Sequence, residues 1–373
     1  MSKEHLTYFK VENFKRFDSL ELTDIGQFNL IVGDNNVGKT SLLESLQVSL
    51  HGTETMYNYH KTLGLRGIDL NAKRIMDLDG NVTNVNYPNE NYLDYLLKDK
   101  ARPLVVNFKI LHESDDVHID DSGLINFNLP GEFEFRFIKE EGRGSAAPYQ
   151  SKIVNTVNEV SFNLHQDDLN NAYQNRYLPI VMFRPKKAED IFNDFQKSIG
   201  KSRKLRDEFI GNLKFILPKI EEIQSLEISG VDVLSIGLKG EDEFTSLNSF
   251  GEGTQRTFEI LIEILKNKNA RLFIDEVDTG IHYKRLKSLL KTIVNLALAN
   301  DVQLFLTTHS LECQQAFAEV FEDQDMVGYQ TKARQFTLIE QPDGQVKAIK
   351  RDWGQLEFAL QTDNDTRGGK QEW

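Results

Sequence analysis

The stretch GDNNVGKTSLLESL, Gly33 to Leu46, follows directly on the apolar run FNLIV at Phe28–Val32. Gly33, Gly38, Lys39 and Thr40 satisfy the spacing G-x-x-x-x-G-K-[ST]. Two glycines at that spacing let a backbone curl until its N–H groups face an anion, and a helix N-terminus adds positive potential. A lysine there reaches the β- and γ-phosphates of a nucleotide, and the Thr40 hydroxyl is placed to hold magnesium. The context fits: Gln27–Val32 reads as a buried strand, and Ser41–Leu50 as a helix with Leu42, Leu43, Leu46 and Leu50 on one face. Gly33, Asp34, Asn35, Asn36, Val37, Gly38, Lys39, Thr40 and Ser41 are therefore expected to line a nucleotide site.

The loop needs an acidic partner, and one stands more than two hundred residues downstream. In ARLFIDEVDTGIHY, Leu272–Ile274 form a short apolar strand that ends in Asp275 and Glu276. Alone, such a pair merely terminates many strands. Beside a phosphate loop, Asp275 is expected at the magnesium and Glu276 at the attacking water. VQLFLTTHS (Val302–Ser310) is a second apolar strand, ending in Thr307, Thr308 and His309. Ligands of open parallel sheets gather at strand carboxyl ends, which places His309 to sense a γ-phosphate. Between the two strands, Leu286, Leu289, Leu290, Ile293 and Leu296 keep helical spacing and read as packing. Upstream, Ser249, Gly251 and Gly253 form a small-residue loop before a helix marked by Phe258, Leu261, Ile262 and Leu265. That loop is either an ordinary N-cap turn or a second anion site. One nucleotide has use for two such loops if the second comes from another copy of the chain.

The 373 residues suffice for one large domain or two ordinary ones. A formal charge of −13 argues against a generally basic surface that coats nucleic acid, although a local patch is compatible with it. With one cysteine, Cys313, no intramolecular disulfide is available. Neither a signal-peptide core nor a membrane-length apolar run is present, so the sequence predicts a cytoplasmic protein without a membrane partner.

Residues 51–103 are polar and tyrosine-rich and read as an insertion. Residues 104–165 alternate, notably in FEFRFI (Phe133–Ile138), and predict an antiparallel β layer. His112–Asp121 carries metal-capable side chains but reads better as a solvated acidic turn. Lys186 to about Ile228 shows helical spacing and predicts a short helical hairpin, too short for a long coiled coil. Its cluster Lys197, Lys201, Arg203, Lys204 and Arg206 reads as a solvated face, with a phosphate-backbone contact as the alternative.

These motifs, in this order, resemble the soluble branch of the ATP-binding-cassette ATPases. That branch includes the structural-maintenance-of-chromosomes heads, the overcoming-lysogenisation-defect family and the ATPases of bacterial antiphage systems such as the PARIS type. VENFKRFDSLEL and NLIVGDNNVGKTSLLESL are similar to the opening strands of these proteins, and SFGEGTQR to their variant signature loop. FIDEVDTGIHY resembles their acidic motif and D-loop, and LFLTTHSLEC their switch histidine. His282 stands where many cassette ATPases carry the D-loop aspartate, and Glu252 separates the usual paired glycines.

The resemblance implies an α/β fold: an ABC-type ATPase head with a P-loop parallel or mixed sheet, helices, an antiparallel β layer and a short helical insertion. One domain would span 1–373. Its first lobe would be 1–177, the helical insertion 186–228, the second lobe 229–350 and a C-terminal tail 351–373. The ligands implied are ATP and Mg2+, with Thr40 and Asp275 at the metal and Glu276 and His309 in catalysis. Ser249, Gly251 and Gly253 would reach the nucleotide of a second copy, in a dimer or higher oligomer.

The chain after His309 is too short for the nuclease domain that lysogenisation-defect nucleases carry there. The expectation is therefore an ATPase that serves as sensor or scaffold in antiphage defence, controls a separately encoded effector and answers to a phage-derived trigger. The rival reading is a DNA-repair or chromosome-associated ATPase acting directly on DNA, which duplex DNA would stimulate. An importer ATPase fits least.

Overall fold

The structure, a computed structural model, describes residues 3–48, 58, 73–76, 82–86, 98, 104–114, 117–128, 132–139, 149–156, 159–160, 180–183, 186–228 and 230–362. Strands β1 (Lys3–Phe14), β2 (Phe17–Leu22) and β3 (Phe28–Gly33) lead into helix α1 (Lys39–Ser45). There follow β4 (Lys73–Met76), β5 (Val82–Asn86), β6 (Leu104–Ser114), β7 (Val117–Asn128), β8 (Glu132–Lys139), β9 (Tyr149–Thr156), β10 (Glu159–Val160) and β11 (Ile180–Met182). Helices α2 (Ala188–Phe195) and α3 (Arg203–Leu213), separated by a π turn at Gln196–Gly200, precede β12 (Ile220–Ile228), β13 (Val231–Leu238) and β14 (Thr245–Ser246). The rest is α4 (Glu252–Lys266), β15 (Arg271–Ile274), α5 (Tyr283–Asn300), β16 (Gln303–Thr308), α6 (Leu311–Val320), β17 (Ala333–Glu340), β18 (Val346–Asp352) and α7 (Trp353–Gln361).

The central sheet has the order β11-β15-β16-β3-β17-β18, parallel except for β18. Every residue of β3, β15 and β16 is buried. Strands covered on both faces need apolar side chains at both parities, which is why they read as mainly apolar runs, with Asn29, Arg271, Gln303, Thr307 and Thr308 as buried polar exceptions. Alternation assigns the faces. Phe28, Leu30, Val32, Leu272, Ile274, Leu304 and Leu306 pack with Phe258 and Leu261 of α4, Leu289 and Ile293 of α5, and Phe317 of α6. Ile31, Phe273, Phe305, Phe336 and Leu338 face the other way, onto Phe9, Val11, Leu20 and Leu22 of β1 and β2 and onto Leu42, Leu43 and Leu46. Phe273 and Phe305 stack there with ring centroids 4.9 Å apart.

The second sheet is antiparallel, in the order β10-β9-β8-β7-β6-β1-β2, so the layer expected over 104–165 is present. Of the stretch 112–121, expected as a turn, His112–Ser114 and Val117–Asp121 form the facing ends of β6 and β7. The polar insertion expected at 51–103 lies mostly outside the described residues; the β4–β5 hairpin belongs to it.

Two expectations of secondary structure need correction. The helix expected at 41–50 runs from Lys39 to Ser45. Beyond it, the carbonyl of Val48 accepts a hydrogen bond from buried Arg271 Nη1 at 2.5 Å, a tertiary bond made in place of another helical turn. Leu50 lies outside the described residues. The hairpin expected over 186–228 is helical only to Leu213, and 220–228 is strand β12, paired with β13. A bulge between Ile220 and Glu222 lets Ile220 and Ile223, three residues apart, both face inward. One extra residue in a strand turns period two into an apparent period three, and that spacing imitates a helix.

Candidate nucleotide site

The parallel order β15-β16-β3 brings three strand ends side by side, with Ile274 opposite Leu306 and Thr308 opposite Val32. At the end of β3 the chain turns through Gly33 (φ 150°), Asn36 (φ 63°) and Gly38 (φ 112°) before α1 begins. A Cβ on Gly33 would lie 2.8 Å from the Leu338 carbonyl oxygen, and one on Gly38 would lie 2.9 Å from Phe17 Cε1. Both positions thus combine a left-handed backbone with a wall that has no space for a side chain. Lys39 is buried and its Nζ donates to the carbonyls of Gly33 (2.7 Å) and Asp34 (2.9 Å), so the ammonium closes its own loop. Burial pulls its pKa below the ordinary lysine value, against the opposing pull of Asp275, Glu276, Asp34 and Asp278.

Thr40 Oγ1 donates to Asp275 Oδ2 at 2.6 Å, and Thr307 Oγ1 donates to Asp275 Oδ1 at 2.5 Å. The carboxylate therefore joins segments more than 230 positions apart in sequence. Thr40 hydroxyl and Asp275 carboxylate are hard oxygen donors within reach of one another, and that donor set fits magnesium.

Glu276 is exposed and left-handed, with φ 49°. Its amide donates to Thr307 Oγ1 (2.8 Å), and its Oε2 accepts from Thr279 Oγ1 (3.2 Å). Arg256, on α4, donates from Nη2 to the carbonyls of Asp275 (2.6 Å) and Glu276 (2.9 Å). Asp278 Oδ2 accepts from Thr308 Oγ1 at 2.9 Å. His309 is exposed immediately after Thr307 and Thr308.

The glycine loop ahead of α4 is arranged differently. Ser249 ends a 3-10 turn (Leu247–Ser249), and the N-cap of α4 is Gly251, with no side-chain cap bond. Ser249, Gly251 and Glu252 are exposed, whereas Gly253 is buried against Gly280. A Cβ on Gly253 would fall 2.0 Å from the Gly280 carbonyl oxygen, so the glycine loop and the loop after the acidic strand interlock by backbone contact. Gly253→Ala is expected to cost about 1–3 kcal/mol through that clash, seen as a lower Tm in a thermal scan. An unchanged Tm would contradict the interlock.

The residues expected from the sequence thus fall into two groups. Lys39, Thr40, Asp275 and Glu276 come together at the strand ends, and exposed His309 follows directly on the end of β16. Ser249 and Gly251 face solvent with no hydrogen bond to the phosphate loop among the described residues. Thr307 and Arg256 join the site without a sequence motif of their own. Arg256 had a signal: Ile260 and Ile264, four and eight residues later, are both buried, so a cation opens the apolar face of the helix.

Comparison with known proteins bears on the fold. The family model described as "AAA domain, putative AbiEii toxin, Type IV TA system" matches residues 144–312. A protein of Helicobacter pylori (strain ATCC 700392 / 26695) named ATP/GTP phosphatase is 23% identical over 344 residues, covering 87% of this chain and 90% of its own. An SMC head domain from Thermotoga maritima superposes with a TM-score of 0.47 at 10% identity, over 93% of this chain and 99% of its own. An SMC head solved with the C-terminal winged-helix domain of ScpA gives a TM-score of 0.51 at 12% identity, over 93% of this chain and 98% of that one. The chain has an SMC-head, ABC-ATPase-like α/β fold: a mixed sheet with α4, α5 and α6 on one face, and α1 and an antiparallel sheet on the other.

Proposed function

We propose that the protein binds ATP in the loop Gly33–Ser41 and hydrolyses it, with a second copy of the chain closing each site. The observation that carries this reading is the Thr40–Asp275–Thr307 contact, which ties the phosphate loop to the acidic strand end through a single carboxylate. The ATP/GTP phosphatase named among the relatives supports it.

The loop amides and Lys39 Nζ take the phosphates, Lys39 exchanging two carbonyl partners for phosphate oxygens. Thr40 and Asp275 would hold magnesium, which would supply positive charge to offset that of the phosphates. Glu276 orients a water in line with the γ-phosphate and accepts its proton, while His309 donates to the γ-phosphate. The exposed Gly251 loop, with the free amides of a helix start, meets the γ-phosphate held by the other copy. In the cell, ATP-dependent closure of an oligomer controls a separately encoded effector in defence against phage, and the resemblance of the motifs to antiphage ATPases supports that role. Among the described residues no helix is long and apolar enough to cross a membrane.

Gly251 offers a selective test. No atom lies within 4 Å of a Cβ built there, and its backbone (φ −60°, ψ 152°) suits any residue. Gly251→Asp supplies a favoured N-cap, so stability is retained or gained by up to about 1 kcal/mol. It also sets a carboxylate against the partner's γ-phosphate, and turnover is expected to fall at least about tenfold. Wild-type turnover in Gly251→Asp would remove the trans contact from the account. For the cellular role, the protein purified from cells carrying its whole locus is expected to bring down a second gene product, with the assembly mass differing with and without ATP. Duplex DNA that stimulates hydrolysis, with no second protein captured, would favour direct action on DNA instead.

A further inference from the structure

We propose that Arg256 is a positioning residue for hydrolysis: from α4 it holds the carbonyls of Asp275 and Glu276 and so keeps Glu276 in the conformation that presents its carboxylate. The inference rests on the reading of Glu276 as the base.

Glu276 needs such support. A glutamate at φ 49° adopts a backbone that L side chains avoid, and it persists only where its surroundings over-determine it. Here the peptide units are held from two sides. Thr307 Oγ1 accepts the Glu276 amide, while Arg256 Nη2 donates to the carbonyl of Glu276 and to the one before it. Thr307 also binds Asp275 directly, so one clamp is shared with the metal-side acid. The other clamp belongs to Arg256 and bears on main chain alone.

Arg256 is itself costly to keep. Its guanidinium is half-buried, with Cζ 5.2 Å from the centre of the Phe183 ring, and its Nε is buried without a hydrogen-bond partner among the described residues. A partly buried cation with an unmet donor carries a desolvation penalty that an apolar residue of similar size avoids, so its burial adds little to stability. Through Nη2 it reaches the backbone of both acids, whose side chains are left for the chemistry. The guanidinium plane also suits paired acceptors better than an ammonium does. If Arg256 only fastened α4 to the sheet, its loss would lower stability and leave the chemical step intact.

The test uses the full chain and four variants: Arg256→Met, Arg256→Lys, Arg256→Ala and Glu276→Gln. Steady-state ATP hydrolysis, binding of a non-hydrolysable ATP analogue and Tm are measured for each. Arg256→Met is expected to lower kcat about 10- to 100-fold, the scale of a misplaced catalytic group, with KM and analogue Kd within about twofold of wild type. Arg256→Lys should recover part of the loss. Guanidinium at low millimolar concentration should restore turnover to Arg256→Ala and do nothing for Glu276→Gln. The proposal is overturned if Arg256→Met turns over like wild type, or if its kcat falls only in step with Tm and analogue binding. Should Arg256→Met not fold, the Arg256→Lys kinetics and the guanidinium rescue decide in the same sense. Full activity in Glu276→Gln would instead remove the reading of the site itself, whatever Arg256 does.

Discussion

Glu276→Gln is expected to bind ATP as tightly as wild type and to hydrolyse it about 10²- to 10⁴-fold more slowly, the usual contribution of a positioned general base. Glutamine keeps the shape and the Thr279 contact but cannot accept the water's proton. Nothing in the fold opposes the change, because the Glu276 side chain is exposed and its backbone is held by Thr307 and Arg256 whatever the side chain carries. With hydrolysis blocked, ATP should hold the variant in the associated form, visible as a larger mass in light scattering. Normal steady-state turnover would discard Glu276 as the base.

Lys39→Ala is expected to lose nucleotide affinity by about two to three orders of magnitude, since charge-assisted bonds to phosphate contribute about 1.5–3 kcal/mol each. The substitution also strands the carbonyls of Gly33 and Asp34, which now accept from Nζ. The loop then loses both its ligand charge and its internal brace. Equilibrium titration with a fluorescent ATP analogue measures the effect; an affinity within threefold of wild type would place the phosphates elsewhere.

Much of this arrangement is legible in the chain, for identifiable reasons. The runs at Phe28–Val32, Leu272–Ile274 and Val302–Leu306 read as buried strands because two-sided burial puts apolar residues at both parities, Asn29 and Gln303 being the polar exceptions. The loop Gly33–Ser41 is legible because glycines are forced at Gly33 and Gly38 by walls built from Leu338 and Phe17. What escaped reading depends on register and on partners distant in sequence. The bulge at Ile220–Glu222 disguises a strand as a helix. Just beyond α1, the Val48 carbonyl bonds to Arg271, more than two hundred positions away. The conformation of Glu276 and the tie from Arg256 are properties of three strands and a helix meeting, and no local pattern encodes a hydrogen bond to a main-chain carbonyl.

That two copies build one site is tested most directly by mixing two inactive proteins. Lys39→Ala lacks the phosphate-loop half, and Gly251→Asp lacks the half offered to a neighbour. Each alone should be nearly silent. In a mixed dimer, one of the two sites joins an intact phosphate loop from one chain to an intact glycine loop from the other. With random exchange and independent sites, an equimolar mixture should regain about a quarter of wild-type ATPase activity. A mixture no more active than its two components measured separately would mean that each chain completes its own site, and the composite assembly described here would be wrong.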